Sequence, residues 1–292
     1  MDQQLPLEET GIAHNDQADD ARDDGTHEVA PDLAWKRLAI ANVMFSGVPG
    51  AGAGQWVLID AGVMGTTGAI TRAAEERFGS GARPAAIVMT HGHFDHVGAL
   101  ENLAKQWDVP IYAHQLELPY LNGTASYPPP DPTVGGGMMA LLSPMYPRGP
   151  VNVSRWLQTL PPDGSVPFMP GWRWIHTPGH TVGHVSLWRE SDRTIIAGDA
   201  FITTAQESAY AVATQKPEMH GPPMYFTPDW ESARTSVQQL AALEPELVVT
   251  GHGPAMRGAD MRAALHVLAN DFTRVAVPEH GRYVNDAVRS NA

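Results

Sequence analysis

The densest chemistry in the chain lies between residues 91 and 96. His91-Gly92-His93-Phe94-Asp95-His96 places three imidazoles and one carboxylate within six positions. Neutral ring nitrogens and anionic oxygens are the donors that a divalent cation of borderline hardness takes. His91 and His93 are two apart, so at an extended strand end they point to the same side. Asp95 and His96 are adjacent and diverge as the chain turns into a helix, while Gly92 admits a tight turn. One short loop can therefore feed two ions. The chain has no cysteine, which excludes disulfides and thiolate ligands and leaves any metal on nitrogen and oxygen.

Such a loop must be held by regular elements. PAAIVMT reads as a short buried strand before it and HVGALENLAKQW as a helix after it, and a strand-to-helix loop is where α/β proteins place ligands. Upstream, WKRLAIANVMFSG and QWVLID read as strands separated by the turn GVPGAGAG, and TGAITRAAEERFG as a helix closed by Gly79. Downstream come the strand PIYAH, then three strands in close succession (WRWIHT, HVSLWRE and RTIIAGD). The amphipathic helix WESARTSVQQLAALEP, the buried strand ELVVT and a last long helix, ADMRAALHVLANDFTRV, follow. Strand–helix–strand alternation predicts an α/β layered domain built from two similar halves. Residues 115–171 break the pattern, being rich in Pro, Gly, Met and aromatic residues, and read as an ordered lid.

Formal net charge is −13, from 19 basic and 32 acidic residues. Residues 1–32 hold ten of the acidic side chains against Arg22 alone and read as a flexible acidic arm, leaving 33–292 as the folded domain. An acidic chain without basic clusters is a poor candidate for gripping nucleic acid or an anionic membrane surface. Apolar residues make up 43%, but no apolar run reaches the roughly eighteen residues that a membrane-spanning helix needs. The N-terminus lacks the basic start and apolar stretch of a secretory leader. A cytoplasmic location fits.

Later segments complete a pattern. TPGHTVGHVSLW contains His180, IIAGD ends on Asp199, VVTGHG contains His252, and LID ends on Asp60. With LID first, HGHFDH second and the other three following in chain order, the chain from about residue 35 to 270 resembles the metallo-β-lactamase superfamily. The resemblance implies a four-layer αβ/βα sandwich with the lid as an insertion, and makes 33–292 a catalytic domain. It also implies a metal pair, with zinc favoured and manganese, iron, cobalt or nickel compatible. His91, His93 and His180 would hold one ion and Asp95, His96 and His252 the other. Asp199 would bridge them, and Asp60 would order the loop rather than ligate. His176 and His184, which flank the third motif, read as hydrogen-bonded structural residues.

The activity this implies is hydrolysis by a hydroxide shared between the two ions, with Asp95 steering it and carrying its proton. A small-molecule lactone or ester is the expected substrate. Absence of cysteine argues against the thiolate-containing β-lactamases, and the short tail after His252 against the thioesterases that carry a helical substrate domain there. Met138, Met139, Tyr146, Phe168, His220 and Tyr225 are the candidate substrate contacts, since flexible Met and rigid aromatic groups suit an apolar acyl chain. The same lid residues suit a contact between two copies of the chain. Thioester and β-lactam hydrolysis, or a mononuclear iron oxygenase or non-hydrolytic metal protein, are the alternatives. No tyrosine follows Asp199 closely, as one does in the acyl-homoserine lactonases.

Overall fold

The computed structural model describes residues 5–6, 25–149 and 151–284. These fall into two compact units, one of residues 25–127, 149 and 151–173, the other of 5–6, 128–148 and 174–284. Most of the acidic arm of the sequence reading lies outside the described residues. Leu5–Pro6 (β1) belongs to the second unit, where it runs antiparallel to Glu218–Met219.

The first unit is built on a seven-stranded sheet in the order β2 (Thr26–Ala30), β3 (Leu33–Leu38), β4 (Ala41–Ser46), β5 (Val57–Ile59), β6 (Ala86–Val88), β7 (Ile111–Ala113) and β8 (Leu157–Thr159). β2 to β5 are antiparallel neighbours, and β5 to β8 are parallel. The parallel strands need helical crossovers, which α1 (Thr67–Phe78) supplies between β5 and β6, and α2 (Phe94–Val97) with α3 (Leu100–Trp107) between β6 and β7. β4, β5 and β6 are buried at every position, as strands covered on both faces must be. Trp56 anchors the core, stacked on Phe78 at 4.5 Å and meeting Trp107 edge-on at 5.7 Å.

Four sequence expectations are modified here. WKRLAIANVMFSG is a hairpin, β3 and β4, turning at Ala39 with φ +61°; no Gly or Asn marks that turn. HVGALENLAKQW splits into α2 and α3 around Gly98, where a Cβ would lie 2.1 Å from the Met64 nitrogen, so the position admits only glycine. Thr26–Ala30, inside the range read as the arm, forms the edge strand: Glu28 pairs at 2.7 Å with Arg77, a buried α1 guanidinium that also donates to the Gly47 carbonyl at 3.1 Å. Leu157–Thr159, inside the range read as the lid, is a strand of this sheet. α4 (Leu118–Leu121) lies in the same range.

The second unit carries α5 (Met138–Leu142) and a five-stranded sheet, in the order β14-β13-β11-β10-β9. Its strands are β9 (Trp172–His176), β10 (Val185–Arg189), β11 (Thr194–Gly198), β13 (Leu247–Thr250) and β14 (Met256–Arg257), with Glu218–Met219 as β12. β11 and β13 are parallel, while β10–β11 and β13–β14 are antiparallel. α6 (Ala209–Thr214) precedes β12. α7 (Trp230–Ala241) starts on an Asp229 cap that accepts from the Ser232 nitrogen at 3.0 Å, a standard N-cap. The last helix of the sequence reading breaks at Asp271 into α8 (Gly258–Asn270) and α9 (Phe272–Val275). Among the described residues no helix is long and apolar enough to cross a membrane.

Candidate metal centre

In the first unit the chemistry sits at the carboxyl ends of β5 and β6. Asp60, directly after β5, is buried with φ +60°, a left-handed conformation that costs a non-glycine residue about 1 kcal/mol or more. The strain aims its carboxylate under the next loop. Oδ1 accepts from the Thr90 nitrogen and Oδ2 from the Thr90 hydroxyl, both at 2.8 Å, and Oδ2 also lies 2.8 Å from His96 Nδ1. Thr90 has one hydroxyl proton, given to Asp60, so its oxygen accepts from His91 Nδ1 at 3.0 Å. Both imidazoles are thereby held as Nδ1–H tautomers that present the Nε2 lone pair, the arrangement that metal-binding histidines require. Asp60 thus holds both Thr90 and His96.

The donors converge. A His91 ring nitrogen lies within 4.8 Å of one on His93 and of one on His96, and an Asp95 oxygen within 4.8 Å of a His96 nitrogen. His91 and His93 meet edge-on at 4.8 Å. All four residues are buried.

Two residues absent from the sequence reading hold this turn from outside. Glu117 Oε2 accepts from the Gly92 nitrogen at 3.1 Å and from the Tyr127 hydroxyl, while the same Gly92 N–H reaches the Tyr127 oxygen at 2.9 Å. Burial, and then the Glu117 charge, push the Tyr127 phenol well above its ordinary value. No local spacing links Glu117 or Tyr127 to the motif. The only trace is Gly92 itself, where a Cβ would come 2.7 Å from the Tyr127 oxygen.

The second unit brings together His180, Asp199 and His252, all buried. Asp199 Oδ2 lies 3.0 Å from His252 Nε2 and 3.3 Å from His180 Nε2. The Thr227 hydroxyl donates to the Pro223 carbonyl at 2.8 Å, so its oxygen takes the Nδ1–H of His180 at 3.2 Å. His180 Nε2 therefore faces an anionic oxygen at 3.3 Å, an arrangement that a cation held between them would satisfy. This donor chemistry fits a divalent cation.

Backbone contacts place the carboxylate and the last histidine. The register of β11 against β13 shifts between Ile196 and Gly198, just before Asp199. The Asp199 nitrogen donates to His184 Nε2 at 2.9 Å. A relay continues from His184 Nδ1 to Thr177, Ser186 and the Ala197 carbonyl, at 2.8, 3.1 and 2.8 Å. The His252 carbonyl accepts from Thr250 Oγ1 at 2.7 Å and from the Thr203 nitrogen at 3.1 Å. A Cβ on Gly253 would collide with Thr203 at 2.5 Å, and its φ is +94°. His184 is structural, as expected, and so is His176, whose Nε2 donates to the Val182 carbonyl at 2.9 Å.

Of the candidate substrate contacts, Phe168 belongs to the first unit and the other five to the second. Met138 is 60% exposed on α5, beside a cavity of about 390 Å³ lined by Pro132, Gly136, Gly137, Met138 and Leu141. The Tyr146 hydroxyl meets Met139 Sδ at 3.6 Å, and its ring lies 6.1 Å from that of Tyr225, which is buried. His220 is buried, with its backbone bridged to Ile202. Phe168, in the first unit, is 60% exposed in a turn at φ +61°.

Residues 46–252 match the family model described as "Metallo-beta-lactamase superfamily". The chain belongs to that superfamily. It is 48% identical over 248 residues to the "Probable metallo-hydrolase YflN" of Bacillus subtilis, covering 85% of this chain and 94% of that protein. It is 31% identical over 170 residues to "Probable metallo-hydrolase YybB" of the same organism, covering 58% and 64%. Among solved structures, TTHA1623 "in a di-iron-bound form" aligns with TM-score 0.51 at 25% identity, over 80% of this chain and 95% of that one. A beta-lactamase domain protein from Burkholderia ambifaria aligns with TM-score 0.58 at 21% identity, over 88% and 76%. The fold class is therefore the α/β fold of this family, mixed sheets flanked by helices.

Proposed function

We propose that the chain is a dinuclear metal-dependent hydrolase of a small-molecule lactone or ester. The observation that carries this is the tautomer locking. In each unit, buried histidines have Nδ1–H committed to Asp60, Thr90 or Thr227, while ring nitrogens of His91, His93 and His96 converge in the first unit and His180 Nε2 lies 3.3 Å from Asp199 in the second. Two relatives named as probable metallo-hydrolases support the reading. His91, His93 and His180 would hold one divalent ion, Asp95, His96 and His252 the second, and Asp199 would be shared. Such a pair supplies acidified water at neutral pH and an electrophile for a carbonyl oxygen. The residues do the rest: Asp95 orients the attacking water and takes its proton, then delivers it to the leaving oxygen. Asp60 and Thr90 hold the imidazoles in line. Met138, Met139, Tyr146 and Phe168 would contact an apolar acyl group, with Tyr225 and His220 as polar contacts. The partner is a small molecule.

Two measurements test this. Elemental analysis of the purified protein is expected to give two ions per chain, zinc foremost; the di-iron form of TTHA1623 makes iron the metal to compare. Hydrolysis is then assayed over lactones, aryl esters, thioesters, β-lactams and phosphodiesters. A preference for phosphodiesters overturns the substrate class. A single iron with oxygen uptake overturns hydrolysis itself.

A further inference from the structure

Gly92 has ordinary backbone angles, so conformation does not explain why it is glycine. Space does. A Cβ there would meet the Tyr127 oxygen at 2.7 Å and Leu121 Cδ2 at 3.2 Å. Tyr127 and Glu117 are both buried. The phenol donates to Glu117 Oε2, and the Gly92 N–H is shared between that oxygen and the phenol oxygen at 3.1 and 2.9 Å. The Tyr127 ring lies 4.4 Å from the His93 ring on one side and stacks on Tyr120 at 3.9 Å on the other. A buried carboxylate and a buried phenol thus satisfy one backbone N–H at the centre of the His-x-His turn, and the phenol's ring lies against the second histidine.

We infer that Glu117 and Tyr127 are positioning residues that clamp the His91-Gly92-His93 turn and set the affinity of the ion those two histidines hold. This rests on the metal-dependent reading above. The clamp fixes where the ring nitrogens of His91 and His93 point. Without it the backbone between them is free to rotate, and preorganisation at that ion is lost while the Asp60-held His96 is untouched.

The test uses full-length protein stripped of metal by a chelator, then titrated with zinc against a chromophoric competitor to resolve two stepwise constants. Circular dichroism and the melting temperature of the metal-free form serve as controls. Tyr127→Phe is expected to weaken one constant by roughly 10–100-fold and leave the other within about threefold, the range for outer ligand-orienting groups. Glu117→Gln, which keeps an acceptor for Gly92, is expected to lose less than Glu117→Leu. Gly92→Ala alone is expected to lose more, and the pair Gly92→Ala/Tyr127→Phe to recover part of that loss, because the second change removes the oxygen the new methyl strikes. Unchanged constants in a folded Tyr127→Phe variant overturn the clamp. So does an equal fall in both constants that tracks the metal-free melting temperature, or a double variant no better than Gly92→Ala. A native protein that binds no zinc, iron or manganese overturns the metal reading as well, and is distinguishable because it needs no variant.

Discussion

The two units solve the same problem by opposite routes. The first packs four donors into six residues, and its geometry is enforced from outside the motif by Asp60 on one side and by Glu117 with Tyr127 on the other. The second spreads three donors from residue 180 to 252, and each is fixed by its own local network: Thr227 for His180, His184 for Asp199, Thr203 and Thr250 for His252. A compact motif concentrates chemistry but cannot brace itself. A dispersed set is braced by sheet register and loses less when one support fails. The comparison therefore predicts that outer supports matter more in the first unit.

The most severe break is at the donors themselves. His93→Ala in one unit and Asp199→Ala in the other should each abolish turnover and remove at least one ion per chain, checked by elemental analysis alongside the lactone and ester assay. Retained turnover with full metal content would show that the donor set is misassigned. Next come the supports. Asp60→Ala strips the acceptor from Thr90 and His96 together and is expected to weaken zinc by roughly 100-fold, the upper end for such groups, against roughly tenfold for Thr227→Val; equal losses in competition titration would remove the asymmetry.

A smaller effect separates stability from metal. Asp131, in the second unit, accepts from Thr133 and from the backbone N–H of Arg282. Burial opposes its ionisation, but those hydrogen bonds outweigh it and hold the carboxyl below its ordinary value. A lowered folded value means stability that is complete above about pH 4, the unfolded carboxylate value, and is lost as pH falls through the folded one. Asp131→Asn should lower unfolding stability by about 1–2 kcal/mol near neutral pH in urea melts, flatten that acid dependence and leave both zinc constants in place. Least of all, Met138→Ser, at an exposed position, should change stability by less than about 0.5 kcal/mol while raising KM for long acyl substrates.

Legibility in the sequence divided local features from distant ones, in both units alike. The strands around the motif, helix α1 ending at Gly79, and α7 were readable because their periodicity and punctuation are local. The break between α2 and α3 was not, and neither was the reason for Gly98, which is small for the sake of a backbone 34 residues upstream, at Met64. The β3–β4 turn at Ala39 has no composition cue. His91, His93, Asp95 and His96 stand out by type and spacing, whereas His180, Asp199, His252 and Asp60 are singled out only by the family resemblance of the segments that carry them. Glu117, Tyr127 and Thr227 were not, because their distance from the donors along the chain carries no period, and only the folded backbone brings them there.

One consequence of the buried Nδ1–H bonds reaches beyond binding. A ring proton held by Asp60, Thr90 or Thr227, with little solvent access, exchanges slowly and resonates far downfield. His96, His91 and His180 should therefore give sharp imidazole signals in a proton spectrum of the protein in water. Those signals would report on the wiring of the centre with no substrate identified.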